Sequence, residues 1–183
     1  AVKYYKMAIE KGNNVAMHNY ALMLDKGDGI PINKEEAVKY YKMAIENGNI
    51  TAMNNYAHIL QNGDGIPANK EEATKYYKMA IEKGSIIAMF NYAFMLDKDD
   101  NPLVSKQEAA KYYKMSADKG HARSMNRYAK MLEKGEEIPA NREEAIRYYK
   151  MAIENGFSLA KKNLSRLLKK SWSLTNAKNR SFY

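Results

Sequence analysis

The chain has 183 residues, of which 45% are hydrophobic, and it carries a formal net charge of +9 and no cysteine. The lack of cysteine excludes disulfide bonds and thiolate metal sites, and it favours a reducing compartment such as the cytoplasm. No apolar run approaches the ~20 residues that a bilayer-spanning helix needs, so no transmembrane segment is predicted.

A unit of 36 residues recurs along the chain. The motif YYKM occurs five times, always 36 residues apart, beginning at Tyr4, Tyr40, Tyr76, Tyr112 and Tyr148. Self-similarity at a period of about 20–50 residues is typical of a solenoid, in which each unit buries its apolar face by stacking on its neighbours. The sequence therefore predicts an all-α solenoid of antiparallel helix pairs, with about ten helices.

The repeat frame divides the chain into segments. The chain starts within a repeat and without Met, which indicates a fragment of a longer protein. The predicted segments, in chain order, are a lone helix B at 1–11, full repeats at 13–48, 49–84, 85–120 and 121–156, a capping helix at 158–172 and a basic tail at 173–183.

Each full repeat is predicted to hold two helices, A and B. In the first repeat Asn13 can cap helix A, and the glycines and proline of residues 27–31 end it. Asn33 can cap helix B, with Glu36 three residues later as in a capping box. Gly48 is expected at the C′ position after helix B, where a positive φ is common.

The apolar positions of both helices recur with the repeat. Ala16, Tyr20 and Leu24 form the predicted buried stripe of helix A, and paired tyrosines such as Tyr40 and Tyr41 form that of helix B. The tyrosine hydroxyls are expected to reach water or backbone at the rim. A methionine also recurs on every helix B, at Met7, Met43, Met79, Met115 and Met151. Packing between successive B helices is favoured for this row over an exposed adaptable ridge.

The pattern of small residues, aromatic residues and glycines identifies a possible relative. In the second repeat it comprises Ala52, Tyr56, Ala57, Leu60, Gly63, Gly65, Ala73, Tyr76, Tyr77, Ala80 and Gly84. This pattern resembles the Sel-one-like repeat, a relative of the tetratricopeptide repeat, and the resemblance extends to about Leu168. It implies a right-handed α-solenoid and a non-enzymatic scaffold or adaptor that binds a protein or peptide.

Two loops depart from the family pattern. The loop 99–104 lacks both glycines, so a distorted turn is expected there. The loop of the fourth repeat keeps Gly135 but has Glu137 in place of the second glycine. Both changes fall between helix A and helix B of their repeats.

No catalytic or cofactor motif is present. The chain has no nucleophile elbow, Walker loop, dinucleotide fingerprint or zinc-binding helix, so we expect no enzyme activity, cofactor or metal. His18, His58 and His121 are expected to be solvated surface residues, because two nearby histidines without further ligands make a poor metal site. A role as part of a larger enzyme or complex remains an alternative.

The positive charge is concentrated at the C-terminus. Residues 157–183 carry seven Lys and Arg and no acid, which leaves a net charge of only +2 for residues 1–156. Leu164, Leu167, Leu168 and Trp172 lie on one face of this segment, and a capping helix is favoured because the register of helix A continues to Leu168. Binding of nucleic acid or an anionic membrane through the basic segment is the alternative.

A candidate binding surface follows from positions that vary between repeats. Two such positions on helix A, one turn apart, hold His18, Asn54, Phe90 and Asn126, and Leu22, His58, Phe94 and Lys130. They are predicted to lie away from the core, and the resemblance implies that this side lines a concave groove. Phe90 and Phe94, with Arg127 and Lys130, would grip an apolar side chain with an acidic flank. Alternatively, the two phenylalanines cover the loop 97–105.

Overall fold

The computed structural model describes the backbone of residues 1–98 and 104–180 and the side chains of residues 1–98 and 105–169. Within these ranges all regular structure is helical, which confirms the all-α solenoid class. The ten helices are α1 (Val2–Glu10), α2 (Asn14–Lys26), α3 (Lys34–Glu46), α4 (Ile50–Asn62), α5 (Lys70–Glu82), α6 (Ile86–Asp97), α7 (Val104–Asp118), α8 (Ala122–Lys134), α9 (Arg142–Glu154) and α10 (Leu159–Arg180).

The chain forms two compact units. Unit 1 is Ala1–Tyr92 and unit 2 is Ala93–Tyr183, so the boundary falls within α6. In unit 1 the A helix α2 packs on the B helix α3, and α4 packs on α5. In unit 2 the pairs α7 with α8, α8 with α9, and α9 with α10 are in contact.

The A helices α2 and α4 begin at asparagine side-chain caps, as predicted for Asn13. The Asn13 side chain accepts a hydrogen bond from the Ala16 amide at 2.9 Å. Asn49 accepts one from the Ala52 amide at 2.8 Å. Such caps satisfy amides that have no partner within the first helical turn. The sequence therefore fixes where these helices start.

The B helices are capped by asparagine, but the expected capping box is incomplete. The Asn33 side chain accepts from the Glu36 amide at 3.0 Å. The Glu36 carboxylate accepts from the Asn33 side chain at 3.2 Å, because the Asn33 backbone amide already donates to the Leu24 carbonyl at 2.9 Å. Gly48 follows α3 with φ +80°, in agreement with the predicted C′ glycine.

The core of each unit consists of small residues and tyrosines. The second tyrosine of the helix-B pair is almost fully buried at Tyr41, Tyr77, Tyr113 and Tyr149, whereas Tyr5 on α1 is half-buried. The expected destination of the hydroxyls was wrong for three of these residues. They donate to side chains of the preceding A helix, from Tyr77 to Gln61 at 2.9 Å, from Tyr113 to Asp97 at 3.3 Å and from Tyr149 to Glu133 at 2.8 Å.

The helix-B methionines occupy an intermediate position. Met43, Met79, Met115 and Met151 are half-buried, and Met7 is exposed. Most methionines of the A helices, such as Met53 and Met125, are instead buried, and Met23 is half-buried. The prediction that the helix-B methionines pack between successive B helices therefore agrees only in part with their exposure.

The C-terminal helix is longer than the segment that the sequence assigned to it. α10 continues to Arg180, and residues 159–180 contain no Gly or Pro to end it. Leu167 is buried, as a capping role requires, whereas Leu168 is exposed. The expectations for the Trp172 side chain and for a distorted turn at 99–103 lie outside the described residues.

Candidate functional site

The A helices expose one narrow face to solvent. Four positions, spaced by four, three and four residues, are at least partly exposed on each of α2, α4, α6 and α8. They hold Val15, Asn19, Leu22 and Lys26 on α2, Thr51, Asn55, His58 and Asn62 on α4, Ile87, Asn91, Phe94 and Lys98 on α6, and Arg123, Arg127, Lys130 and Lys134 on α8. Most other residues of these helices are buried, so a partner would meet these four positions first.

Three of the predicted surface residues are buried instead. His18, Asn54 and Asn126 are only 7–8% exposed, which corrects their placement away from the core. The Asn91 side chain donates to Asn54 Oδ1 at 2.9 Å, and Asn163 donates to Asn126 Oδ1 at 2.8 Å. These bonds join successive A helices, so the variable position lies in a polar seam between repeats.

The remaining predicted residues lie nearer to solvent. Leu22 is 37% exposed, His58 is exposed, and Phe94, Arg127 and Lys130 are partly exposed. Phe90 is half-buried. Within each unit, the predicted residues that reach solvent are therefore fewer than the sequence suggested, Leu22 and His58 in unit 1 and Phe94, Arg127 and Lys130 in unit 2.

The histidines differ in their surroundings. His18 packs against Tyr41, with ring centroids 5.8 Å apart, and its Nδ1 has no hydrogen-bond partner among the described residues. Burial lowers the pKa of His18 below its ordinary value. His121 is half-buried, with Nδ1 2.8 Å from Ser124 Oγ. The expectation of solvated histidines thus holds for His58 and was wrong for His18.

The buried His18 predicts a specific pH dependence of stability. Because its pKa is lowered in the folded state, the unfolded chain binds the proton more readily below about pH 6.5, and acid destabilises the fold. His18→Asn, which inserts the residue found at Asn54 and Asn126, should lose less stability than the wild type between about pH 7.5 and pH 5. Urea unfolding at both pH values measures the difference, and parallel losses in the two proteins would contradict this assignment.

A cleft of about 390 Å³ lies in unit 1, between α2, α4 and the start of α6. Its lining includes Leu22, Asn55, His58 and the buried carboxylate of Asp25. Burial opposes ionisation of Asp25, but hydrogen bonds from Lys26 and Lys34 outweigh it and lower the pKa of the carboxyl. The acidic groups of this cleft are therefore neutralised within the unit.

Lys34 organises the charges of the unit 1 cleft. Its Nζ lies 2.7 Å from Asp25 and 2.9 Å from Asp64. The side chain passes over Gly65, where a Cβ would overlap the Lys34 stem. Glycine is thus required at this position by the close approach of Lys34 as well as by its φ of +80°.

An equivalent but smaller cleft of about 150 Å³ lies in unit 2, at residues 72 positions later. Asp97 and Lys106 occupy the positions of Asp25 and Lys34, and Glu137 replaces Gly65. Lys106 Nζ is 3.8 Å from the Glu137 carboxylate. Asp97 is instead met by Arg127, at 3.5 Å. Where Glu137 replaces the second glycine of the loop, the lysine thus pairs with Glu137, and Arg127 takes its place beside Asp97.

Arg127 and Phe94 form the centre of the unit 2 surface. The Arg127 guanidinium carbon lies 5.2 Å from the centroid of the Phe94 ring, and Lys98 Nζ lies 5.8 Å from it. Asp97 holds the guanidinium from the other side. A cation on an aromatic face, fixed by a carboxylate, leaves the other guanidinium N–H groups available to a ligand.

Comparison with known protein families identifies the repeat. Five copies of the Sel1 repeat match the chain, at residues 1–13, 14–49, 50–85, 86–121 and 122–157. The chain belongs to the Sel1 repeat family. The predicted resemblance is thereby confirmed. Sel1 repeats generally mediate protein–protein interaction, and members of the family are typically non-catalytic scaffolds.

Solved structures share the fold. A Sel1 repeat protein from Oxalobacter formigenes matches with 28% identity and a TM-score of 0.82, over 90% of this chain and 67% of that one. A protective antigen of uropathogenic Escherichia coli with an SLR fold matches with 24% identity and a TM-score of 0.81, over 92% and 36% of the two chains. An immunity protein from Pseudomonas aeruginosa matches with 20% identity and a TM-score of 0.58, over 87% and 59%. The Sel1 chain thus spans about two thirds or less of each relative.

Comparison with curated protein sequences finds no match. In the part of the chain that the structure describes, no helix is long and apolar enough to cross a membrane, and no cluster of His, Asp or Glu could hold a metal ion.

Proposed function

We propose that this Sel1 repeat protein is a non-catalytic scaffold that binds a protein or peptide on the exposed faces of its A helices. The contact residues in unit 1 are Leu22 and His58. In unit 2 they are Phe94, Arg127 and Lys130. His18, Asn54 and Asn126 support these faces from below, since they lie buried in the seam.

The observation that carries the proposal is the preassembled contact of Arg127 with Phe94 and Asp97. Aromatic and Arg side chains supply much of the binding energy of known interfaces. An arginine already held in one geometry loses little conformational freedom when a partner binds. Phe94 offers the edge of an apolar surface, and Arg127 with Lys130 offers positive charge beside it. A partner with an apolar side chain and an acidic flank fits this arrangement.

Selection of binding peptides tests the proposal. A random peptide library displayed on phage is selected against the wild-type protein, and the selected peptides are measured by fluorescence anisotropy against Phe94→Ala and Lys150→Ala. Lys150 is an exposed residue of α9 and serves as the control. We expect Phe94→Ala to weaken binding about tenfold or more, as for a hot-spot residue, and Lys150→Ala to leave it unchanged.

The same variants separate a binding role of Phe94 from a structural one. Urea unfolding of Phe94→Ala should give a stability close to that of the wild type if the ring serves a partner. A strongly destabilised Phe94→Ala protein whose folded fraction binds the peptides normally would show that the ring covers the neighbouring loop. That result would remove the proposed contact.

A further inference from the structure

One side of α8 carries four cations that are at least partly exposed, Arg123, Arg127, Lys130 and Lys134. The other partly exposed residues of the helix are Ala122 and Glu133, while Ser124, Met125, Asn126, Tyr128, Ala129, Met131 and Leu132 are buried. At a rise of about 1.5 Å per residue, the four cations span roughly 16 Å along one side of the helix. We call these four residues the α8 basic stripe.

The α8 basic stripe is specific to one repeat. The corresponding positions of α4 hold Thr51, Asn55, His58 and Asn62, none of which is Lys or Arg. The two helices share the same repeat frame and the same buried pattern, with tyrosine, alanine and leucine at equivalent positions. Packing therefore does not require the cations, and their side chains are available for another purpose.

The carboxylates of unit 2 neutralise the stripe only in part. Arg127 lies 3.5 Å from Asp97, and Lys134 lies 3.2 Å from Glu136. Arg123 and Lys130 form no ion pair with any residue that the structure describes. Two of the four cations thus have no carboxylate partner among the residues that the structure describes.

In the next repeat, the residue equivalent to Lys130 is paired with a carboxylate. Arg166 is the residue of α10 that corresponds to Lys130, and its Nη2 lies 3.0 and 2.8 Å from the two oxygens of Glu133. The residue corresponding to Glu133 in the preceding repeat is Asp97, which is one methylene shorter and contacts Arg127. Among the described residues, Lys130 therefore has no carboxylate equivalent to the one that its counterpart Arg166 contacts.

We propose that the α8 basic stripe binds an acidic segment of a partner protein, with one carboxylate at Lys130 and further carboxylates along Arg123, Arg127 and Lys134. This inference rests on the proposed function and identifies the partner chemistry of its unit 2 surface. The occupant is a peptide because Asp97, Glu136 and Glu137 border the stripe, and they would repel a continuous phosphate backbone. Separate carboxylates can pass between these acids, and the cleft beside Arg127 and Lys130 admits a side chain.

An exchange of residues between two helices of this chain tests the inference. The exchange variant carries Arg123→Thr, Arg127→Asn, Lys130→His and Lys134→Asn, which are the residues of α4 at the same positions. Because α4 already accommodates them, the variant should fold. The control variant carries Lys161→Gln, Lys162→Gln and Lys169→Gln, which remove three exposed charges from α10.

The probes are two labelled helical peptides and one RNA. One peptide carries four glutamates at the spacing of the stripe, the other carries glutamines at those places, and the RNA is polyuridylate. In about 0.15 M salt the wild type should bind the glutamate peptide about tenfold or more tightly than the glutamine peptide, as expected for several exposed ion pairs together. The exchange variant should lose this preference, and the control variant should keep it.

Several outcomes would overturn the inference. Among these are an exchange variant that still prefers the glutamate peptide and a control variant that loses the preference equally. Tighter binding of the RNA, abolished by the exchange, would instead make the stripe a nucleic-acid site. If library peptides need Phe94 but ignore the exchange, the scaffold proposal stands at Phe94, and the acidic partner and the contacts proposed for Arg127 and Lys130 are wrong.

Discussion

Tyr77→Ala is expected to lower the free energy of unfolding by about 3–5 kcal/mol, as for other aromatic residues removed from a core. Tyr77 is completely buried. Its ring lies 6.3 Å from that of Tyr92, and it belongs to α5, which packs on α4. The side chain thus fills space between neighbouring repeats, and its removal leaves a cavity that helices on both sides must tolerate.

The hydroxyl of Tyr77 should account for only a small share of this loss. It donates to Gln61 Oε1 at 2.9 Å, and burial raises its pKa, so it stays protonated at any physiological pH. Tyr77→Phe removes one neutral hydrogen bond at a site where Gln61 is only half-buried. We expect a cost of about 1 kcal/mol for this change.

Tyr76→Ala provides the matched control for Tyr77→Ala. Tyr76 is the half-buried member of the pair, and it contacts Tyr56 edge to face with centroids 5.0 Å apart. Its removal should cost clearly less than removal of Tyr77. Urea unfolding gives both values, and hydrogen exchange should show the loss first in unit 1, because repeats contact mainly their neighbours. Equal costs at the two tyrosines would contradict the assigned core.

The repeat frame explains why the fold could be predicted from the sequence. Asn13, Asn33 and Gly48 are local signals whose geometry depends on a few neighbouring residues, and the structure places all three as expected. The buried tyrosines also follow from the period, since a position that stays apolar in every copy is a core position. These inferences need no knowledge of contacts between distant residues.

The candidate surface was harder to predict because variation between repeats does not mean exposure. Asn54 and Asn126 differ from His18 and Phe90, yet the two asparagines and His18 are buried. A buried polar residue can vary when its partner supplies the hydrogen bond, as Asn91 does for Asn54. That pairing joins residues 37 positions apart and is visible only in three dimensions.

The cluster of cations on α8 was not evident from the sequence, because the net charge was summed over residues 1–156. Residues 1–156 carry a net charge of only +2, so the sequence directed attention to the C-terminal segment. Acids at helix starts, such as Glu143 and Glu144, offset the cations of α8 in the sum but lie on another helix. Only the burial of each position shows that Arg123 and Lys130 lie on one exposed face.

The fourth repeat contains a buried polar group that predicts a non-additive response. Ser124 Oγ donates to Ser116 Oγ at 2.9 Å, and both residues are completely buried. The equivalent positions of other repeats hold alanine pairs with no exposed surface, Ala44 with Ala52, Ala80 with Ala88, and Ala152 with Ala160. The serine pair thus replaces an apolar contact that the same fold accepts elsewhere.

Ser116→Ala alone should cost about 1 kcal/mol, because the bond from Ser124 to Ser116 is lost while His121 Nδ1, 2.8 Å from Ser124 Oγ, stays within reach as an acceptor. Adding Ser124→Ala should recover part of that loss, since an alanine pair leaves no hydroxyl to satisfy. Adding His121→Asn should stabilise further, by about 1 kcal/mol. His121 stands at the N-cap of α8 without a side-chain cap bond, whereas Asn49 supplies one to α4.

Urea unfolding of the single, double and triple variants tests this order. The triple variant carries the residues that the chain itself uses at Ala44, Asn49 and Ala52, so it should be at least as stable as the wild type. If each substitution lowered stability further, the serine pair would contribute more to the stability of the fold than the alanine pairs do in other repeats. The neighbouring side chains of the fourth repeat would then have adapted to the hydroxyls, and the repeats would not be interchangeable at their buried positions.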